Sequence, residues 1–265
     1  MSTPSAAAPR RRRAAGGLGY ALLGAAGLGA VLALWWIATE ALPRDGSFAR
    51  MFAPGPTFAA LGELVGGRDL PLHVMVSLKR IAVGLALALA IGVPLGLAVG
   101  ASARLEAATT PAFQLLRMIS PLSWMPIAVM TFGVGDAPIY FLLTFAAVWP
   151  IVLNTAAGVR QLDRRWLLLA ESLAATKAET LGRIVLPGVM AHVLTGLRLA
   201  IGISWIVLVP CEMLGVSAGL GYFILDTRDR LAYPELMATV LVIGVLGFLL
   251  DGAARWAHRR WAPAV

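Results

Sequence analysis

Long apolar runs alternate with short polar segments along almost the whole chain. Each run can cross the hydrocarbon core of a bilayer, which takes about 20 residues as an α-helix. The runs lack the strict apolar–polar alternation of a barrel strand. The pattern therefore predicts an all-α integral membrane bundle of about six transmembrane helices. The predicted spans are Gly16–Leu42, Val74–Gly100, Pro111–Val134, Ala137–Val159, Gly188–Gly215 and Tyr233–Gly252.

The composition agrees with a membrane-embedded chain. Of the 265 residues, 59% are hydrophobic and 14% are charged, and the mean hydropathy is +0.80. Soluble domains usually contain about 45–50% apolar and about 25% charged residues. We therefore expect a single transmembrane domain over residues 16–265, preceded by a basic tail over residues 1–15.

The basic residues concentrate in segments that an even number of spans places on one side of the membrane. Because Lys and Arg favour cytoplasmic segments, both termini and the segment 160–187 are predicted to be cytoplasmic, in a cell inner membrane. These residues are Arg10 to Arg13, Arg104, Arg160, Arg164, Arg165, Lys177, Arg183, Arg255, Arg259 and Arg260. They are dispersed between apolar runs, so the net charge of +8 indicates topology and no nucleic-acid partner.

The arginines at positions 10–13 allow one alternative, a twin-arginine export signal. The apolar run that follows is longer than the 7–15 residues of a signal core, and no small-residue cleavage site follows it. An uncleaved first helix is the simpler interpretation.

A polar, helix-prone segment at residues 160–187 separates the fourth and fifth apolar runs. Asp163 can cap a helix that meets no glycine until Gly182, and Pro187 is expected to end the segment. At helical spacing one face carries Trp166, Ala170, Leu173, Ala174 and Lys177. Small side chains on this face would let a protein partner approach. The segment therefore predicts a cytoplasmic coupling helix, and the alternative is an amphipathic helix lying on lipid.

The same segment resembles a loop of importer-type ABC transporter permeases. That loop is written Glu-Ala-Ala, three residues, Gly, nine residues, Ile, one residue, Leu-Pro. Ala170 closes the triplet, Ala174 holds the glycine position, and Ile184, Leu186 and Pro187 follow at the family's spacing. The chain departs from the family pattern at Leu168, Leu169 and Ala174. The resemblance implies contact with an ATPase through Trp166, Ala170, Glu171, Leu173, Ala174, Lys177, Ile184, Leu186 and Pro187.

Further motifs resemble the permeases that import nitrate, sulfonates, taurine or bicarbonate. They are SPLSWMPIA (120–128), FGVGD (132–136), WPIVLNTAAGV (149–159), TGLRLAIGISW (195–205) and EMLGVSAGLGYFI (212–224). The resemblance implies a homodimer of permease chains, two cytoplasmic ATPase subunits and an extracytoplasmic binding protein. This chain would then be no enzyme and would need no cofactor, and ATP would be used by the partner. A permease of the same superfamily for another small organic solute is the nearest alternative.

Polar residues inside the apolar runs are candidates for the translocation pathway and its gate. They are Ser120, Trp124, Asn154, Arg198, Glu212 and Gly219. Ser120 and Trp124 lie where two prolines break the third span, and broken helices commonly line a cavity; a packing kink is the alternative. Gly219 belongs to a glycine-rich stretch that is predicted to form an outer gate facing the binding protein.

The charged candidates each have two interpretations. Glu212 is expected to hydrogen-bond backbone at a gate or to pair with a basic residue such as Arg117; the alternative is a cap at the water interface. Arg198 lies roughly 15 Å beyond Gly188 at 1.5 Å per residue, so a role inside the bundle is favoured. Arg117 is expected to snorkel. Lys79 and Arg80 suggest that the second span starts after Val74, with His73 in a loop.

Little in the chain indicates metal or catalytic chemistry. The single Cys211 and the three widely spaced histidines predict no metal site, and packing is expected for Cys211 and His192. An intramembrane enzyme would need a nucleophile with a base, and no persuasive pair is visible. A stand-alone secondary carrier is the other alternative, but no inverted repeat is visible.

Overall fold

The computed structural model describes residues 14–43, 46–67 and 69–261. Within these ranges every regular element is helical, which confirms the predicted all-α class. The α-helices are α1 (Ala14–Trp36), α2 (Pro54–Gly66), α3 (Asp69–Ala101), α4 (Ala103–Met118), α5 (Met125–Phe132), α6 (Asp136–Arg160), α7 (Arg164–Ser172), α8 (Lys177–Thr180), α9 (Leu186–Glu212), α10 (Leu220–Asp229) and α11 (Tyr233–Trp261). Most of the basic tail predicted over residues 1–15 lies outside the described ranges.

Five helical stretches of the described chain are long and apolar enough to cross a membrane. They are Leu22–Ala41, Asp69–Ala101, Asp136–Arg160, Lys177–Glu212 and Tyr233–Arg260. A bent pair, Ala103–Met118 with Pro121–Phe132, adds a sixth if it counts as one span. The prediction of about six transmembrane helices is therefore confirmed.

The second span starts earlier than its charges suggest. Helix α3 begins at Asp69, so Arg80 lies about three turns inside it and is only 3% exposed. The expectation that this span starts after Val74 is wrong, and His73 is a buried helical residue instead of a loop residue. The physical reason is that Arg80 is neutralised inside the protein by two carboxylates.

Helices α3, α6 and α9 form the centre of the bundle, and glycines allow their close approach. Small residues recur every four positions on α3, at Gly84, Ala88, Gly92, Gly96 and Gly100. A Cβ placed on Gly96 would lie 2.6 Å from the Cβ of Thr155 on α6. Without a hydrophobic drive in lipid, this backbone approach and the dispersion contacts that it permits hold the helices together. The core is therefore dense enough to position side chains rigidly.

The third apolar run is broken, as its prolines predict. Helix α4 ends at Met118, a 3₁₀ turn covers Pro121–Trp124, and α5 continues at an angle of 86°. Aromatic rings fill the corner against α6, with Trp124 and Phe145 centroids 5.5 Å apart and Phe113 and Trp149 also 5.5 Å apart. The bend therefore packs on the bundle centre.

Helix α1 is joined to the rest of the bundle at one end. The indole Nε1 of Trp35 donates to the carbonyl oxygen of Phe52 at 2.9 Å, and the Trp35 ring packs edge-on against Phe58. Phe48 and Phe52 in turn pack against Tyr233 at the start of α11. The apolar side chains from Leu22 to Leu34 are exposed, so lipid or another chain must cover them.

Candidate functional site

The segment 160–187 folds as two short helices joined by a tight turn. Helix α7 starts at the predicted cap, since the Asp163 carboxylate accepts from the N–H of Arg165 at 2.9 Å. It ends with Ala174 in the left-handed region, at φ +52°. The N–H of Ala175 bonds to the carbonyl of Ala170, and that of Ala174 to the carbonyl of Glu171, both at 3.0 Å. This is a Schellman motif, in which the left-handed residue is usually glycine.

A second helix start follows within two residues. The side chain of Thr176 accepts from the N–H of Glu179, and the carboxylate of Glu179 accepts from the N–H of Thr176 at 2.9 Å. This capping box begins α8 at Lys177. The expectation of one continuous helix is therefore wrong, and Lys177 does not share a helical face with Trp166.

The residues expected to contact the ATPase differ in their solvent exposure. Trp166 is 58% exposed and Leu173 is 72% exposed, so both are available to a partner. Glu171, Ala174 and Lys177 are exposed as well. Ala170 is 3% exposed, and the structure contradicts the expectation that it faces outward. A partner therefore meets a large apolar surface on α7, to which Leu168 and Leu169 also contribute.

The end of the motif leads directly into the fifth span. Ile184 lies in a π-helical turn over Leu181–Val185, and Leu186 and Pro187 begin α9. Pro187 does not end the segment as expected, because the helical stretch passes from the π-helical turn through Pro187 into α9. The helical stretch runs from Lys177 to Glu212, so a force on α8 passes into the bundle without a flexible joint.

We expect Ala174→Gly to stabilise the protein by about 1 kcal/mol, because alanine at positive φ is strained and glycine is not. The melting temperature of the purified protein in detergent should rise. Ala178→Gly is the matched control, since Ala178 is exposed in α8 and the same change there should lower stability. A lower melting temperature for Ala174→Gly would contradict the strain.

A buried ionic cluster lies at the other end of α9, about 39 Å from Leu186 at 1.5 Å per residue. Nη1 of Arg80 donates to Glu212 at 2.8 Å, and Nε and Nη2 donate to one oxygen of Asp136 at 3.0 and 2.6 Å. Glu212 is fully buried, whereas the Asp136 side chain is 41% exposed. One guanidinium thus joins α3, α6 and α9 in a low-dielectric interior, where an unpaired charge is costly.

The same cluster caps helix α10 from outside its own sequence. The N–H of Leu220 donates to Ser77 at 2.9 Å, and the N–H of Gly221 donates to Glu212 at 3.0 Å. These are first-turn donors that no helical carbonyl can satisfy. The N–H of Gly219 donates to Nδ1 of His73 at 3.0 Å, with Gly219 at φ +119°. The loop before α10 is therefore fastened to α3 and α9.

Glu212 and Gly219 are the two predicted pathway residues that the structure brings together. The basic partner of Glu212 is Arg80, and the suggested pairing with Arg117 is wrong, since Arg117 is exposed on α4. The alternative, in which Glu212 lies at the water interface and acts as a cap there, is also wrong, because Glu212 is 0% exposed. Sequence reasoning missed Ser77, Arg80 and Asp136 as its neighbours.

The remaining pathway candidates lie in separate places. Ser120 is exposed just before the 3₁₀ turn, and the indole N–H of the half-buried Trp124 has no acceptor among the described residues. The Asn154 amide donates to the carbonyl of Pro150 within α6 at 2.8 Å. Nε of Arg198 donates to Asp251 on α11 at 3.2 Å, and both side chains are partly exposed. Within the described chain, no hydrogen bond connects these residues with the Arg80 cluster.

Comparison with known proteins identifies related chains of similar length. The chain is 36% identical over 198 residues to the bicarbonate transport system permease protein CmpB of Synechococcus elongatus, covering 73% of this chain and 71% of the relative. It is 35% identical to the nitrate import permease protein NrtB of Synechocystis, covering 75% and 73%. It is 32% identical to the taurine transport system permease protein TauC of Escherichia coli, covering 89% and 87%.

The fold also matches a solved structure. An inward-facing conformation of the MetNI methionine ABC transporter aligns with a TM-score of 0.57 at 15% identity, over 72% of this chain and 94% of that chain. A family model described as "binding-protein-dependent transport system inner membrane component" matches residues 92–263. With the helical bundle and the motif at 170–187, this match identifies the chain as a membrane permease of that family.

Proposed function

We propose that this chain forms the membrane pathway of an ATP-driven importer for a small oxyanion. The relatives carry the names of bicarbonate, nitrate and taurine transport, and each of these solutes presents negatively charged oxygens on a small planar or tetrahedral group. The observation that carries the proposal is the identity above 30% to all three relatives over more than two thirds of the chain. Uptake measurements will decide which of these anions the protein carries.

The exposed apolar surface of α7 supports a partner at this end of the bundle. Trp166, Leu168, Leu169 and Leu173 are each about half exposed or more, although they adjoin charged residues that need water. A cytoplasmic ATPase subunit is the occupant that we propose, with one subunit for each permease copy. Arg160, Arg164, Arg165 and Arg183 support the cytoplasmic placement of this end, together with both termini.

The partly exposed ion pair on α9 and α11 supports a second permease copy. Arg198 and Asp251 remain 45% and 39% exposed, and a second arginine, Arg255, contacts the other oxygen of Asp251. Charged groups within a span are costly in lipid and usually face protein or a water-filled path. We propose that this surface faces the pathway between two copies of the chain, with Arg198 as an anion-attracting residue. Ser120, Trp124 and Asn154 stay proposals as pathway residues on the broken span and α6.

The proposal is tested by reconstitution into proteoliposomes with an ATPase subunit and a binding protein from the same organism. We expect ATP-dependent accumulation of nitrate, bicarbonate or taurine inside the vesicles, and no accumulation with a non-hydrolysable ATP analogue. Vesicles without the binding protein are the control. Failure to accumulate any of the three anions, alongside uptake of a cationic or uncharged solute, would contradict the proposed substrate class.

A further inference from the structure

A cavity of about 590 Å³ lies beside the ionic cluster, between the start of α6 and the loop that precedes α10. Its lining includes Arg80, Asp136 and the stretch Gly215–Ala218. One buried water needs only about 10–15 Å³ of such volume. The cavity can therefore hold a small hydrated anion next to a guanidinium.

The two sides of the Arg80 guanidinium are bound very differently. On the inner side Nη1 donates to Glu212 at 2.8 Å and to the carbonyl oxygen of Ala218 at 2.6 Å, and Glu212 also accepts from Ser77 and from the N–H of Gly221. On the cavity side Nε and Nη2 share a single oxygen of Asp136. The second oxygen of Asp136 has only a 3.4 Å contact with the Tyr140 hydroxyl. Glu212 is therefore fixed, whereas Asp136 is a half-exposed ligand that can leave.

Further donors of the cavity wall have no protein acceptor. The Ser217 hydroxyl and the backbone N–H groups of Gly215, Val216, Ser217 and Ala218 donate to no protein atom among the described residues. The Ser217 side chain is exposed to solvent. A loop with unused N–H groups beside a guanidinium suits oxygen-bearing anions, which accept hydrogen bonds from several sides.

We propose that the transported oxyanion displaces the Asp136 carboxylate from the Nε–Nη2 edge of Arg80 and binds there with the Ser217 loop. A guanidinium presents two parallel N–H groups that match two oxygens of a planar or tetrahedral oxyanion, whereas Asp136 fills this fork with one oxygen. The exchange of one anion for another leaves the charge around Arg80 unchanged while Asp136 turns to water. This inference rests on the proposed import of a small oxyanion and adds its binding site.

Asp136→Asn tests the exchange directly. The permease–ATPase complex in lipid nanodiscs, without binding protein, is titrated with nitrate, bicarbonate and taurine by calorimetry in low-salt buffer. Because a neutral amide competes less well for the guanidinium, at least one anion should bind Asp136→Asn with a Kd at least tenfold lower than wild type. Equal Kd values for the two proteins would overturn the proposal.

Two further variants make the result specific. Asp229→Asn removes an exposed carboxylate that, among the described residues, pairs with its neighbour Arg228 alone, and it should leave the Kd unchanged. Ser217→Ala changes an exposed side chain without disturbing the cluster, and the Kd should rise about threefold. If Asp136→Asn fails to fold, an unchanged Kd for Ser217→Ala overturns the site. If the wild type imports the oxyanion and the variants show no change in Kd, this binding site is refuted and the proposed function stands. If the wild type imports no oxyanion, the proposed function itself is refuted.

Discussion

Glu212→Ala is expected to remove most of the folded permease from the membrane fraction. The change leaves Arg80 with one half-exposed carboxylate, and it removes an acceptor from Ser77 and from the N–H of Gly221. Removal of one partner of a buried ion pair typically costs about 3–5 kcal/mol, which is a large fraction of the about 5–15 kcal/mol by which folded proteins are usually stable. Size-exclusion profiles and melting temperatures in detergent would measure the loss.

The control for this variant is Glu235→Ala. Glu235 is partly exposed and pairs with Arg230 at 3.3 Å, so its removal should cost less than about 1 kcal/mol. Glu212→Gln keeps an acceptor oxygen but loses the charge, and its melting temperature should fall between those of wild type and Glu212→Ala. A Glu212→Ala protein as stable as Glu235→Ala would show that the cluster does not hold α3, α9 and α10 together.

Leu173→Glu is expected to break the link to the ATPase without unfolding the permease. Leu173 is 72% exposed next to the left-handed turn, so a charged side chain fits there in the isolated chain. In contact with the ATPase subunit proposed as the partner, the carboxylate would lose its water without a compensating bond. A residue central to an interface typically contributes 2 kcal/mol or more, or roughly a thirtyfold loss of affinity. ATP-driven uptake should fall by at least tenfold.

The measurement is co-purification of the ATPase with the permease, together with uptake in proteoliposomes. Leu231→Glu is the matched control, because Leu231 is also an exposed leucine at a helix end with positive φ, at 68% exposure and φ +59°. It lies between α10 and α11, at the end of the bundle remote from α7, so ATPase binding should be unchanged. If Leu173→Glu retained full ATPase binding, the assignment of α7 as the coupling surface would be wrong.

The turn at Ala174 could have been predicted in part from the sequence. The glycine position of the family motif marks a residue that must adopt positive φ, and Thr176 with Glu179 has the spacing of a capping box. Both signals are local and visible in the sequence. The prediction of a single helix failed because it treated only glycine and proline as helix breakers, and alanine stands at the turn.

The ionic cluster was visible in part. His73, Ser77 and Arg80 recur at spacings of four and three residues, so they lie on one helical face within an apolar run. That pattern predicts a polar face on α3 but not its partner. Glu212 lies 132 residues from Arg80 along the chain, and Asp136 lies 56 residues away. Only the docking of α6 and α9 on α3 determines which carboxylates reach the guanidinium.

The sequence by itself determined the helical class, the approximate spans, the broken third run and the polar segment at 160–187. Each of these features depends on whether a run of neighbouring residues can leave water for lipid with its backbone hydrogen bonds satisfied. A short stretch of sequence already contains that information. Tertiary structure alone decided that Ala170 is covered, that Glu212 pairs with Arg80, and that a cavity opens beside Asp136. These outcomes depend on the close approach of distant helices through α3 glycines, and no local pattern contains that geometry.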